Sequence, residues 1–183
     1  MLDVRFSEGV ELPGHGLWLD PHTARPLAFV SHAHCDHLAR HAEVVLTPAT
    51  AQLMRARIGG KRQEHVLSYG ESKELSDARI TLLSAGHICG SAQLFLESAS
   101  GTLLYTGDFK LRASRSTEIC EWRHAETLIM ETTFGLPKYE FPPTEEVIAA
   151  VISFCANALE SKSVPVLYAY SLGKAQEIVC ALL

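Results

Sequence analysis

The residues with the clearest chemical meaning form a run with the pattern H-x-H-x-D-H that begins at His32. In an extended segment His32 and His34 point to the same side of the backbone, so both imidazoles can bind one metal ion. The chain then turns, which lets Asp36 and His37 face a second ion. Imidazole nitrogen and carboxylate oxygen are ligands typical of zinc and, less often, of manganese or iron. A solvated histidine-rich loop is the alternative, but the run directly follows a short apolar segment, and this position favours a metal site.

Further ligands are expected at the ends of later apolar segments. His87 lies in the segment A-G-H-I-C-G, whose glycines let the backbone approach closely. Asp108 directly follows Gly107; alone, such an aspartate is most often a turn residue, but the histidine run favours a ligand role. Asp20, also at a predicted strand end, is expected to orient a ligand by a hydrogen bond. The other histidines lack this context and are expected to be surface or structural residues: His15, His22, His41, His65 and His124.

The segments that must position these residues alternate between strand and helix patterns, which predicts an α/β fold. A helix is expected over 48–58, because Pro48 suits its first turn and two glycines follow it. Thr144 is the expected N-cap of a second helix with a 3.6-residue apolar period, and a third helix is expected from Leu172 to the last residue. Strands are predicted at 17–19, 27–30, 44–46, 79–83, 93–96, 103–106, 127–130 and 164–170.

The composition is that of a folded globular protein: of 183 residues, 47% are hydrophobic and 20% are charged. It excludes a disordered chain, a collagen and a disulfide-stabilised miniprotein. No apolar run reaches the roughly 18–20 residues of a membrane span, and the N-terminus lacks the pattern of a signal peptide. Five scattered cysteines without a C-x-x-C pair argue against a thiolate metal site and predict a cytoplasmic location. The net charge of −5 gives no general attraction for nucleic acid, so local patches or metal ions would have to bind it.

The order of the metal motifs along the chain resembles that of the metallo-β-lactamase superfamily. The resemblance implies an αββα sandwich with the metal site at one edge of two packed sheets. It also implies two zinc ions that share a bridging aspartate. The ligands carried over by the resemblance are His32, His34 and His87 for the first ion, Asp36 and His37 for the second, and Asp108 between them.

Later segments resemble the nuclease branch of this superfamily, the β-CASP group. The segment M-E-T-T-F-G around Glu131 is similar to its acidic motif, and the segment 168–177 is similar to a strand, turn and helix of its inserted domain. The segment 131–143 most resembles bacterial DNA-ligase-associated exonuclease-like proteins, also described as RNA 3′-end-processing-factor-like. The resemblance therefore divides the chain into the N-terminal part of a metallo-β-lactamase domain, 1–141, and the beginning of a β-CASP domain, 142–183.

The activity implied by this resemblance is metal-dependent hydrolysis of phosphodiester bonds in DNA or RNA by a metal-bound hydroxide. Asp36 is the expected proton acceptor, and Glu131 is expected to orient a ligand or assist proton transfer. Lys110, Arg112 and Lys174 are candidate contacts to backbone phosphates, with solvated surface positions as the alternative. Single-stranded nucleic acid is the expected substrate, and the resemblance adds an association with a DNA ligase or helicase.

Members of the β-CASP group continue beyond the insert and add two histidines, one of which binds the second zinc. This chain stops at Leu183, so the expected second site is short of a ligand, and an inactive fragment is one of the outcomes considered. Two other functions stay open. One is a different hydrolase of the superfamily, acting on a thioester, lactone or β-lactam; the other is a non-catalytic subunit.

Overall fold

A computed structural model describes residues 2–183, which form two compact units, one ending at Glu131 and one from Thr132 to Leu183. The first unit holds two β-sheets and one α-helix, and the second holds two α-helices. The α/β class predicted from the sequence is confirmed, and the two sheets agree with part of a metallo-β-lactamase sandwich. Among the described residues, no helix is both long and apolar enough to span a membrane.

The first sheet has six strands that neighbour one another in chain order. The first strand pairs antiparallel with the second, and the second with the third. The third to sixth strands pair parallel to one another. Helix α1, Pro48–Ile58, makes the crossover that the parallel pairing of the last two strands requires, and the Thr47 hydroxyl caps it by accepting from the Thr50 N–H. The strands are β1 Arg5–Phe6, β2 Val10–Leu12, β3 Leu17–Leu19, β4 Leu27–Phe29, β5 Glu43–Leu46 and β6 Gln63–Val66.

The second sheet has five strands in the order β11-β10-β9-β8-β7. Its pairs are antiparallel except for β10 and β11, which run parallel. The strands predicted at 93–96 and 103–106 are confirmed by β9 and β10, which form a hairpin that turns at Ser100. The strands are β7 Ser72–Leu75, β8 Ala78–Ser84, β9 Ala92–Ser98, β10 Gly101–Tyr105 and β11 Thr127–Ile129.

The main hydrophobic core lies between the two sheets. Alternate residues of each strand point into it, as the two-residue period of a strand requires. Each fully buried leucine contributes on the order of 1.5–3 kcal/mol through its loss of contact with water. The core includes Leu12, Leu17, Leu19, Phe29 and Val45 from the first sheet and Ile80, Leu82, Leu94, Leu96 and Leu103 from the second.

The second unit contains α2, Thr144–Glu160, and α3, Lys174–Leu182. Helix α2 begins at Thr144 itself and Pro143 occupies the N-cap, so the prediction that Thr144 caps the helix with its side chain is wrong. The strand predicted at 164–170 is also wrong. A strand needs a hydrogen-bonded partner, the described part of this unit offers none, and Pro165 lacks an N–H to donate. The assignment of 1–141 and 142–183 to two domains stays a prediction.

Candidate metal centre

The end of β4 carries the first two histidines of the cluster to the edge where the sheets meet. Ser31 is held from both sides: its N–H donates to Asp20 Oδ1 at 2.7 Å, and its carbonyl accepts from the Ala92 N–H at 2.8 Å. Ala92 begins a strand of the second sheet, so Ser31 ties the two sheets together next to His32. After His34 the chain forms a short 3₁₀ turn over Cys35–His37, as the sequence predicted.

Three imidazoles and one carboxylate converge on a common point. His34 Nδ1 lies 3.0 Å from His32 Nε2 and 3.3 Å from His87 Nε2. Asp108 Oδ2 lies 3.9 Å from His32 Nε2 and 3.6 Å from His87 Nε2. All four candidate ligand atoms lie within 4.8 Å of one another, so these residues could hold one metal ion.

The donor spacing and chemistry fit such an ion. In a tetrahedral site with metal–nitrogen bonds of about 2.0–2.1 Å, the ligand nitrogens lie about 3.4 Å apart, close to the separations of 3.0 and 3.3 Å seen at His34. Ser31 Oγ lies 2.9 Å from His32 Nδ1, which leaves the His32 Nε2 lone pair to face the cluster. A hydrogen bond to the remote ring nitrogen is the usual support of a metal-binding histidine.

The loop that carries His87 is fixed by its own hydrogen bonds. The backbone N–H groups of His87 and Ile88 both donate to Ser91 Oγ, at 3.0 and 3.2 Å. Gly86 has a φ of +70°, and a Cβ at this position would lie 2.6 Å from the Lys110 carbonyl oxygen. The close approach of two backbones explains why glycine precedes His87.

Asp36 and His37 form a second group beside the first. His37 Nε2 lies 3.8 Å from Asp36 Oδ2 and 3.7 Å from Asp108 Oδ1, while His37 Nδ1 lies 3.1 Å from Asp20 Oδ2. Asp108 therefore lies between the two groups, with Oδ2 facing His32 and His87 and Oδ1 facing His37.

Burial and neighbouring charges determine the pKa values of the imidazoles in the cluster. Burial, together with the other histidines of the cluster, holds the pKa of His32 far below its ordinary value. Burial likewise lowers the pKa of His87 to about 4, so both rings are neutral at pH 7 and keep a lone pair for a metal. Burial alone would also lower the pKa of His37, but the hydrogen bond and charge of Asp20, helped by Asp108 and Asp36, raise it to about 9.

These pKa values predict an acid-sensitive metal-free protein. The pKa of histidine in an unfolded chain is about 6.5. Between pH 6.5 and about 4, His87 is therefore protonated in the unfolded chain and neutral in the folded one. The free energy of unfolding should therefore fall on acidification, by roughly 3 kcal/mol from His87 alone. His37 acts with the opposite sign: its contribution is present below pH 6.5 and is lost as the pH rises through about 9.

Urea denaturation in the presence of a chelator, repeated from pH 4.5 to pH 9.5, would measure the loss of stability on the acid side and on the alkaline side. A His87→Asn variant should show a shallower loss of stability on the acid side. An acid limb of the same slope in the variant and the wild type would contradict this assignment to His87.

The remaining predicted site residues differ in their surroundings. Asp20 is buried and contacts both Ser31 and His37, and its orienting role stays a prediction. The charge of Glu131 adds to the raised pKa of Asp108, for which burial is the larger cause, so Glu131 lies near the cluster.

The charge of Lys110 acts on His87, and Arg112 is exposed in the loop that follows. Lys174 is the exposed first residue of α3 in the second unit, with Nζ 5.7 Å from the Tyr170 ring centre.

The histidines expected to lie outside the cluster do so. His15 is buried and pairs with the exposed Asp77, and the partly buried His65 pairs with Glu43. His22 has an unexpected contact, because its Nδ1 lies 2.9 Å from the Asp36 carbonyl oxygen and so supports the 3₁₀ turn.

Sequence reasoning missed Ser31, Ser91 and Tyr105, which support the cluster. Ser31 and Ser91 act on His32 and His87 as described, and Tyr105 donates its hydroxyl to Asp20 Oδ2 at 3.0 Å. A polar side chain at the end of an apolar strand, one to four residues from a candidate ligand, is the signal that could have found them.

Comparisons with known proteins place the chain among much longer relatives. It is 54% identical over 182 residues to a probable DNA ligase of Opitutus terrae, covering 98% of this chain and 18% of that protein. It is 32% identical over 121 residues to the transcription termination factor FttA of Methanococcus maripaludis, covering 63% of this chain and 19% of that protein. It is 27% identical over 157 residues to the DNA cross-link repair protein SNM1 of Arabidopsis thaliana, covering 80% of this chain and 32% of that protein.

The chain thus spans between about a fifth and a third of the length of these curated relatives. No family model matches the chain. A solved structure of a protein of unknown function from Enterococcus faecalis is similar in fold, with a TM-score of 0.51 at 15% identity, over 72% of this chain and 39% of that one. With the histidine and aspartate cluster at the sheet edge, these similarities show that the chain belongs to the metallo-β-lactamase/β-CASP family.

Proposed function

We propose that this chain carries the metal centre of a nuclease that hydrolyses phosphodiester bonds in single-stranded DNA or RNA. The observation that carries the proposal is the position of Asp108, between the group of His32, His34 and His87 and the group of Asp36 and His37. A carboxylate shared by two sets of ligands is what a two-metal hydrolytic centre needs. The relatives named for DNA ligation, transcription termination and DNA cross-link repair support a nucleic-acid substrate.

Zinc is the proposed ion, because imidazole and carboxylate donors at tetrahedral spacing form its usual site in enzymes. His32, His34, His87 and Asp108 would hold the first ion, and Asp36 and His37 would contribute to a second, weaker site. A bound divalent ion supplies Lewis acidity: it makes water more acidic and offsets negative charge on the phosphate.

The chain's own side chains would prepare the site for this reaction. Ser31 and Asp20 keep the rings of His32 and His37 oriented. The side chain of Asp36 is 73% exposed, so it is accessible to water and is the proposed proton acceptor. Glu131 adds negative charge beside Asp108, and its proposed part is to orient a ligand or help the proton leave.

Contacts to the nucleic-acid backbone are proposed for Lys110, Arg112 and Lys174. The charge of Lys110 adds to the lowered pKa of His87, for which burial is the larger cause, so Lys110 is close enough to the cluster to be a candidate phosphate contact. We assign 1–141 to the N-terminal part of the metallo-β-lactamase domain and 142–183 to the beginning of a β-CASP domain. We also propose association with a DNA ligase or helicase; the similarity to a probable DNA ligase supports the ligase.

The proposal is tested by offering the zinc-loaded chain four substrates in parallel: a labelled single-stranded oligonucleotide as DNA, the same sequence as RNA, a thioester and a chromogenic β-lactam. Cleavage of the oligonucleotide alone is the expected result. Turnover of the thioester or β-lactam with an intact oligonucleotide would assign the other hydrolase activity instead. A folded, zinc-loaded chain that binds the oligonucleotide without cleaving it would point to a non-catalytic subunit.

Elemental analysis of the purified chain gives an independent measure of the centre. We expect about one tightly held zinc per chain and a second equivalent that is lost on dialysis. The donor sets explain the difference, since four side chains surround the first position and fewer face the second. A folded chain purified with zinc in the buffer but containing none would remove the basis of the proposed reaction.

A further inference from the structure

Tyr105 links the second sheet to the metal cluster. It ends strand β10, and its hydroxyl donates to Asp20 Oδ2 at 3.0 Å. Its ring is packed in the core between the sheets, edge-on to Phe29 with ring centres 6.2 Å apart. Because the ring is fixed by this packing, the hydroxyl is held at one point and cannot follow Asp20 if the carboxylate turns.

Asp20 gathers contacts from both sides of the centre. It is only 4% exposed, and its Oδ1 accepts from the Ser31 N–H at 2.7 Å. Its Oδ2 receives the Tyr105 hydroxyl and also lies 3.1 Å from His37 Nδ1. The backbone at Asp20 has a φ of +43°, in the left-handed region that is uncommon outside glycine, and its side-chain contacts help to hold it there.

We propose that Tyr105 is a positioning residue, which acts through Asp20 to fix the orientation and the tautomer of the His37 ring. With Oδ2 held by the hydroxyl, the carboxylate stays 3.1 Å from His37 Nδ1 and favours a proton on that nitrogen, while His37 Nε2 faces Asp108 and Asp36 at 3.7 and 3.8 Å. The role in metal binding rests on the proposed function; the role in orienting His37 does not.

Tyr105 also ties the two groups of ligands to each other. It lies on the segment that leads into Asp108, and it touches the residue that supports His37. A displacement of one group is therefore transmitted to the other through a single hydroxyl and a single carboxylate. Loss of such supporting hydrogen bonds lowers metal affinity by about 10–100-fold in other metalloproteins.

The test compares Tyr105→Phe with Tyr69→Phe, which removes a phenol that donates to the Ser91 carbonyl at 3.0 Å and not to Asp20. In the metal-free protein, ¹⁵N NMR of the His37 ring, recorded above the His37 pKa of about 9 where the ring is neutral, should show a changed tautomer distribution in Tyr105→Phe and no change in Tyr69→Phe. In zinc titrations against a competing chelator, Tyr105→Phe should weaken the binding step that involves His37 by about 10–100-fold.

A double-mutant cycle with Asp20→Asn tests whether Tyr105 acts through Asp20. Once Asp20 is replaced, adding Tyr105→Phe should change the His37 spectrum and the zinc affinity no further. Unchanged His37 signals in a folded Tyr105→Phe variant would overturn the proposal, even if the wild type cleaves nucleic acid. A wild type without nuclease activity but with the expected His37 response would reject the proposed function and leave the positioning role intact.

Discussion

Replacing His32 and His34 together with alanine is expected to lower zinc affinity by roughly 10⁴-fold and to abolish phosphodiester hydrolysis. Zinc sites with four protein ligands have apparent binding free energies of about 10–16 kcal/mol, or about 3 kcal/mol per ligand. Two lost ligands then cost about 6 kcal/mol, and each 1.4 kcal/mol is a factor of ten. His34 Nδ1 lies within 3.3 Å of both other imidazole nitrogens, so the double variant removes two of the three imidazoles that face the same point.

The matched control for this variant is His65→Ala combined with His124→Ala. It removes the same two imidazoles from positions outside the cluster, one paired with Glu43 and one exposed. Bound zinc would be measured by elemental analysis and by competition with a chelator, and circular dichroism would confirm the fold of each protein. Equal zinc content in the two double variants would show that the proposed ion binds elsewhere.

Gly107→Ala is expected to damage the fold and the metal centre together. Gly107 has a φ of +53°, and a Cβ there would lie 2.6 Å from Ser31 Cβ and 2.7 Å from Ser31 Oγ. The left-handed backbone costs alanine about 1–2 kcal/mol, and forcing apart a packed contact costs about 1–3 kcal/mol more. Because Ser31 supports His32 and Gly107 precedes Asp108, the clash should also move two candidate ligands apart.

Gly70→Ala is the control that separates the cost of the left-handed backbone from the cost of the packing clash. Gly70 has a φ of +77°, but a Cβ at this position would meet nothing within 4 Å. Urea denaturation of both variants should give a loss of about 1–2 kcal/mol for Gly70→Ala and about twice that for Gly107→Ala. Zinc affinity should fall in Gly107→Ala alone; a similar fall in both variants would mean that the close packing of Ser31 and Gly107 does not shape the centre.

The candidate ligands could be predicted because strand ends are easy to read in this sequence. The apolar segments before His32 and Asp108 are short and rich in large aliphatic residues, and strands β4 and β10 form there. His32 follows a strand of the first sheet, and His87 and Asp108 follow strands of the second, so the ligands meet where the ends of these strands lie together. The spacing of the run indicated His32 and His34 as a pair, and the resemblance to the metallo-β-lactamase superfamily added His87 and Asp108. The structure brings the candidate ligand atoms of all four within 4.8 Å of one another.

Other features depend on contacts that the local sequence does not record. Strands β6 and β7 were not predicted, because Gln63–Val66 and Ser72–Leu75 are largely polar and form through pairing with neighbours. The segment 164–170 shows the reverse case: its Val and Tyr residues favour a strand, but it has no partner among the described residues. Tyr105 and Asp20 are 85 positions apart, so their hydrogen bond could not be inferred from either segment.

The candidate ligands come from loops that are far apart in the chain. His34 and His87 are separated by 53 positions, and Asp108 lies beyond both. An ion bound by all of them would act as a cross-link and would restrict the conformations open to the unfolded chain. Closing a loop of this length by a permanent bond corresponds to about 4 kcal/mol of chain entropy at 25 °C. Metal supply would then govern how long the folded chain survives heat or proteolysis, in addition to any part in catalysis.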